Sequence, residues 1–125
     1  MQIVAIDYGK KRVGVAVSEG IFAQKLTTIH KNEIIMWLGH YIKKHDVSKI
    51  ILGMPQGYLA NEVNTFGNTL GHTFKLPVIY QDETLSSYKG QKDLVQFGSS
   101  KKARKDDDAH AAVVILQSYL DEHEK

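Results

Sequence analysis

Asp7, Glu83 and Asp108 are the side chains of this sequence best suited to reaction chemistry. Each stands where an expected element begins or ends: Asp7 where the first apolar strand runs out, Glu83 with Asp82 just past the last strand, Asp108 at the start of the last helix. Chemistry in α/β sheets concentrates at such ends. A carboxylate that interrupts an apolar strand is costly to bury without a positive partner, and a group of carboxylates repels itself without a cation. A divalent metal removes both penalties. Carboxylate oxygens completed by waters suit Mg²⁺ or Mn²⁺, and two such ions about 3.5 to 4 Å apart support in-line hydrolysis of a phosphodiester. Asp7, Glu83 and Asp108 are therefore the candidate catalytic and metal-holding residues. Each also has a structural reading: Asp108 as a helix N-cap, Asp82 and Glu83 as turn and first-turn residues, Asp7 as the closing residue of a hairpin. For Asp7 the order strand, Asp, aromatic, Gly is the hardest to explain by structure alone.

Basic residues gather close to these acids, at Lys10, Lys11 and Arg12 and again at Lys101, Lys102, Arg104 and Lys105. They are the candidate nucleic-acid contacts, although either run read alone is also an ordinary solvated loop. The overall balance of 16 basic against 14 acidic residues, a net +2, does not by itself mark a nucleic-acid binder. Absence of cysteine excludes disulfides, thiolate zinc sites and cysteine nucleophiles, leaving hard oxygen ligands for any metal. Neither a run of about 18 apolar residues nor a signal-peptide pattern is present, so no membrane partner and a cytoplasmic location are expected. Ser86 and Ser87 lack a nucleophile-elbow context, His110 reads as a helix-surface residue, and Trp37 reads as core.

The elements that must position these residues follow from hydrophobic periodicity. Gln2 to Ile6 is an apolar strand ending at Asp7, and a turn through Tyr8-Gly9-Lys10-Lys11 leads to alternating Val13, Val15 and Val17, making a hairpin. Gly9 and Gly14 permit the turn and a close backbone approach. Phe22 to Ile29 supplies a third strand at an edge. Ile34, Ile35, Leu38, Tyr41 and Ile42 recur at helical spacing between Asn32 and Lys44. Lys49 to Leu52 is a buried strand, the glycines and proline of 53–57 a loop, Asn61 to Phe74 a helix and Pro77 to Tyr80 a strand. A helix carrying Tyr88, Leu94, Val95 and Phe97, a charged segment from Ser99 to Asp107 and a last helix from about Asp108 complete the chain. With 125 residues and 42% hydrophobic content, one α/β domain over 1–125 is expected, its mixed five-stranded sheet made of three antiparallel strands then parallel ones, flanked by helices.

Four segments in order, IVAIDYGKKRVGVAVSE, ILGMP, QDETLSS and DDDAHAAVVILQSYL, resemble the YqgF (RuvX) family of Holliday junction resolvases, also regarded as nucleases for the 5′ end of pre-16S ribosomal RNA. The resemblance covers essentially the whole chain. It implies an RNase H-like fold, cytoplasmic location, a role in ribosome biogenesis on pre-ribosomal particles, and metal-dependent phosphodiester cleavage in structured RNA, with branched DNA as the alternative. Residue by residue, the family's acids fall on Asp7, Glu83 and Asp108. Thr84 stands where the family usually has an arginine, and no basic residue matches the family's helix near Val63 to Phe66; Lys89, Lys92 or Arg104 are the candidate replacements. Two other readings stay open. One is a non-catalytic nucleic-acid-binding assembly factor; the other is an actin-like ATPase, whose phosphate segment also begins Asp-x-Gly but whose two closing domains exceed this length.

Overall fold

The computed structural model describes residues 1–55, 57, 59–82 and 107–123. Strands β1 (Gln2–Tyr8), β2 (Arg12–Ser18) and β3 (Gln24–His30) form the antiparallel half of a five-stranded sheet. β4 (Val47–Met54) and β5 (Val78–Asp82) extend it in parallel with β1, giving the order β3-β2-β1-β4-β5. The mixed sheet and the edge position of β3 are those expected from the pattern. Edge exposure explains why β3 tolerates Gln24 and Lys25 where its neighbours carry valine.

Alternation along β1 divides the molecule. Val4, Ile6 and Tyr8 face one side with Val13, Val15, Ile50 and Leu52, under α1 (Ile34–Lys44) and α2 (Leu59–Phe74). Ile3 and Ala5 face the other side with Ala16 and Ile51, under α3 (Asp107–His123), whose Ala112, Ile115, Leu116, Tyr119 and Leu120 close that layer. Each fully buried Leu or Ile here contributes about 1.5 to 3 kcal/mol. α1 is preceded by a 3-10 turn, Lys31–Glu33, in which the His30 ring accepts from the Asn32 amide at 3.2 Å. At its other end the His45 amide donates to Tyr41 O, and Lys43 and Lys44 complement the helix dipole.

Several boundaries differ from expectation by one or two residues: α1, α2 and β3 shift at their starts, and β5 runs on to Asp82, which is therefore in the strand and not past it. β4 runs two residues further at each end than Lys49 to Leu52, and Gly53 and Met54 belong to the strand, not to the loop. A central strand paired on both sides, by β1 and β5, overrides the turn preference of glycine. β1 likewise continues through Asp7 to Tyr8, because β2 pairs with it as far as Tyr8↔Val13. The expected helix around Tyr88 to Phe97 lies outside the described residues. Among those described, no helix is long and apolar enough to cross a membrane.

Candidate active site

Asp7 sits two positions past Ala5, so strand alternation turns its side chain to the α3 face. Among the described residues it is the one buried charged side chain, 7% exposed. Its neighbours across the sheet are unusually small. Gly14 of β2 lies directly opposite, with Thr28 beyond it on β3. On the parallel side, Ile6 faces Leu52, which brings Asp7 alongside Gly53, itself paired with Gln81. The row Thr28, Gly14, Asp7, Gly53, Gln81 therefore has no side chain on either side of the carboxylate. Gly14 thus acts within a strand and not in the turn.

The turn itself brings cations to this end of the sheet. Lys10 and Lys11 are exposed between β1 and β2, and Arg12 is exposed as the first residue of β2. Gly9 is required there: its amide donates to Arg12 O at 3.0 Å, and a Cβ on it would lie 2.6 Å from that oxygen. Asp7 and the first basic run thus stand at the same end of the sheet.

The other candidates stand differently. Asp108 is in the first turn of α3, one residue inside a helix that starts at Asp107; its backbone is described and its side chain is not. Ala109 and Ala112, 2% and 0% exposed, bring that end of the helix close to the sheet. Glu83 and the run Lys101, Lys102, Arg104 and Lys105 lie outside the described residues, as do Thr84, Lys89 and Lys92. Among the described residues no group of three or more His, Cys, Asp or Glu could hold a metal ion. The described donor, a buried carboxylate with glycines on both sides and no thiolate in the chain, fits a hard divalent cation by its chemistry.

Two features went unread in the sequence. His110 is not the surface residue expected: it is half-buried, and its Nε2 is buried with no hydrogen-bond partner among the described residues. The reason is that α3 lies deep, with no residue exposed from Ala109 to Leu120. On the opposite face, the Tyr8 hydroxyl donates to Glu62 Oε1 at 3.0 Å, and Lys31 Nζ donates to the same oxygen at 2.6 Å while lying over the Tyr8 ring. The Lys31 ammonium, then the Tyr8 hydroxyl, hold the Glu62 carboxyl below the usual carboxylate range. Glu62 in turn raises Lys31, and burial raises the Tyr8 phenol. Residues 31 and 62 meet only through the fold, and nothing periodic announces the pair.

Comparison with known proteins adds three findings. A family model described as "RuvX: Holliday junction resolvase" matches residues 1–122. A Bacteroides thetaiotaomicron protein is 37% identical, with 96% of each chain covered, and a Lactobacillus acidophilus protein is 37% identical, covering 100% of this chain and 99% of its own. Both carry the name "Putative pre-16S rRNA nuclease". T. thermophilus RuvC, solved in complex with Holliday junction substrate, superposes with a TM-score of 0.63 at 13% identity over 99% of this chain and 96% of that one. That likeness shows the fold, which is RNase H-like.

Proposed function

Because the chain belongs to the RuvX family of Holliday junction resolvases, we propose that residues 1–125 form one divalent-metal-dependent nuclease domain, which hydrolyses phosphodiester bonds at the 5′ end of pre-16S rRNA. The observation that carries this reading is Asp7, a buried carboxylate between two glycines at the end of a central strand. The names of the full-length relatives supply the substrate.

In this reading Asp7, Glu83 and Asp108 hold Mg²⁺ or Mn²⁺, the ions that all-oxygen donor sets favour. The bound cation supplies Lewis acidity and charge neutralisation at the scissile phosphate. Asp7 serves as a ligand through its carboxylate, and the absence of side chains at 14 and 53 leaves the row beside it low. Lys10, Lys11 and Arg12 draw the nucleic-acid backbone to this end of the sheet, with Lys101, Lys102, Arg104 and Lys105 joining them. Such contacts position the phosphates without reading sequence, and binding through them weakens with salt. Work on pre-ribosomal particles in the cytoplasm belongs to the same reading.

The description of the matching family model favours a second reading, resolution of four-way DNA junctions. One experiment separates them: labelled pre-16S leader RNA beside a four-way DNA junction, with Mn²⁺, using wild type and Asp7→Asn. Cleavage of the RNA that vanishes in the variant and in chelator supports the proposal. Cutting of the junction alone transfers it to branched DNA, and binding of RNA without any cutting replaces it with the assembly-factor reading.

A further inference from the structure

Trp37, Tyr41 and His45 follow one another at every fourth residue and form a continuous ring stack along α1 and its C-cap. The Trp37 and Tyr41 rings lie 5.2 Å apart at 15°, and those of Tyr41 and His45 lie 4.1 Å apart at 21°. Tyr41 is held in place by its hydroxyl, which donates to Gln2 Oε1 at 2.6 Å. The stack borders a surface groove of about 260 Å³ lined by Trp37, His40, Tyr41, Lys44 and His45. His40, Lys43, Lys44 and His45 are exposed; residues 34–45 contain no carboxylate, although Glu33 and Asp46 flank them and the charge of Glu19 is felt by Tyr41. Helix stabilisation accounts for lysines in the last turn and for one aromatic pair, but it requires neither a third ring beyond the helix end nor a groove beside the three.

We propose that this ladder is a binding site for unpaired nucleobases, with Lys43 and Lys44 taking the flanking phosphates. Inside the stack the rings cover one another, so the face left for a base is the outer one of the exposed His45 ring, with Lys44 beside it; such a face next to a cation suits sequence-tolerant binding of single strands, since every base has a π-face. The ladder lies away from Asp7. α1 starts beside the β1–β2 turn, where the Lys31 amide donates to Lys11 O, and runs about 16 Å to the end of the sheet where β1 and β4 begin. Lys10, Lys11 and Arg12 at one end and the ladder at the other therefore bracket one side of the molecule. The ladder is on the α1/α2 face and the Asp7 carboxylate on the α3 face, so a substrate cut at Asp7 reaches the ladder with a single-stranded flank that passes round the β1–β2 turn. That role deepens the nuclease reading and rests on it, whereas the binding itself does not.

Trp37 is the sole tryptophan of the chain and reports on its own site. Its emission is titrated with a 12-nucleotide single-stranded RNA, the matching single-stranded DNA and the RNA duplex, using full-length Asp7→Asn so that cleavage plays no part. Saturable quenching by the single strands, about tenfold weaker in His45→Ala, is the expected result. In Lys43→Gln/Lys44→Gln the slope of log affinity against log salt should fall by about 0.7 for each phosphate that the lysines no longer neutralise. Equal responses to both single strands mean that the ladder reads bases whatever the sugar; a preference for RNA means that the 2′-hydroxyl contributes. Quenching by duplex alone, emission unmoved while RNA binds, or affinities unchanged in both variants would each overturn the proposal. Absence of cleavage by wild type with quenching intact would sink the nuclease reading and leave the ladder standing.

Discussion

The two faces of the sheet are built on opposite principles although they share every strand. Under α1 and α2 the inward residues are large: Val4, Ile6, Val13, Val15, Ile50 and Leu52 fill the layer, each 0% exposed. Under α3 the positions of β1 and β2 nearest the carboxylate are small, Ala5, Gly14 and Ala16, with Ile3 farther along, and Ala109 and Ala112 answer them from the helix. The first face stabilises by volume. The second keeps a helix backbone close to a strand that carries a buried carboxylate, and in the proposed nuclease that closeness is what draws Asp108 toward Asp7.

The largest test of this division is Asp7→Asn. The substitution keeps shape and removes charge, so cleavage should fall by roughly 10³-fold, the scale on which a group that supports charge in a reacting centre is felt. The melting midpoint should move by no more than a few degrees. A large loss of stability with residual activity would mean that Asp7 belongs to the packing of the α3 face and that the two faces differ in size alone.

Next come paired changes of volume. Leu52→Ala empties the α1/α2 face and should lower stability by about 2 to 5 kcal/mol with little effect on chemistry in the folded fraction. Ala112→Leu overfills the α3 face and should lower stability by a smaller amount, about 1 to 3 kcal/mol, yet reduce cleavage in protein that remains folded. Denaturant unfolding and assay at a temperature well below both midpoints separate the effects. Equal losses of activity per unit of stability in the two variants would erase the distinction.

Much of this division is legible in the sequence, for identifiable reasons. Period-two valines give β2, and an acid at the end of the apolar run Ile3 to Ile6 gives Asp7. The small residues of the last helix announce its close approach. What local pattern misses is set by the third dimension. Gly53 and Met54 carry loop preference but are held in β4 by pairing on both sides. His110 has the type and spacing of a surface residue, and only the depth of α3 reveals that its Nε2 is buried. Asp7 is the single acid of the candidate trio whose side chain the structure describes; Glu83 rests on the resemblance and on its place one residue beyond β5.

The smallest expected effect lies at the site end of the α1/α2 face, where the Tyr8, Lys31 and Glu62 contacts sit back to back with Asp7 across β1. Lys31 holds the folded-state pKa of Glu62 below its unfolded value, so its contribution is fully present above that unfolded value and is lost as pH falls through the folded one. Lys31 is raised by Glu62, so its share is present below its unfolded value and is lost only as pH rises through the folded one, in strong alkali. Both groups are solvent-accessible, so the stabilisation is small and screened by salt. Glu62→Gln should therefore lower the melting midpoint slightly at pH 7 in low salt, and the difference from wild type should close below about pH 4. Cleavage should stay within a few-fold of wild type, since Glu62 faces away from the carboxylate that carries the chemistry. A loss approaching that of Asp7→Asn would show that the strand transmits between its faces, and that β1 acts as one unit instead of two surfaces.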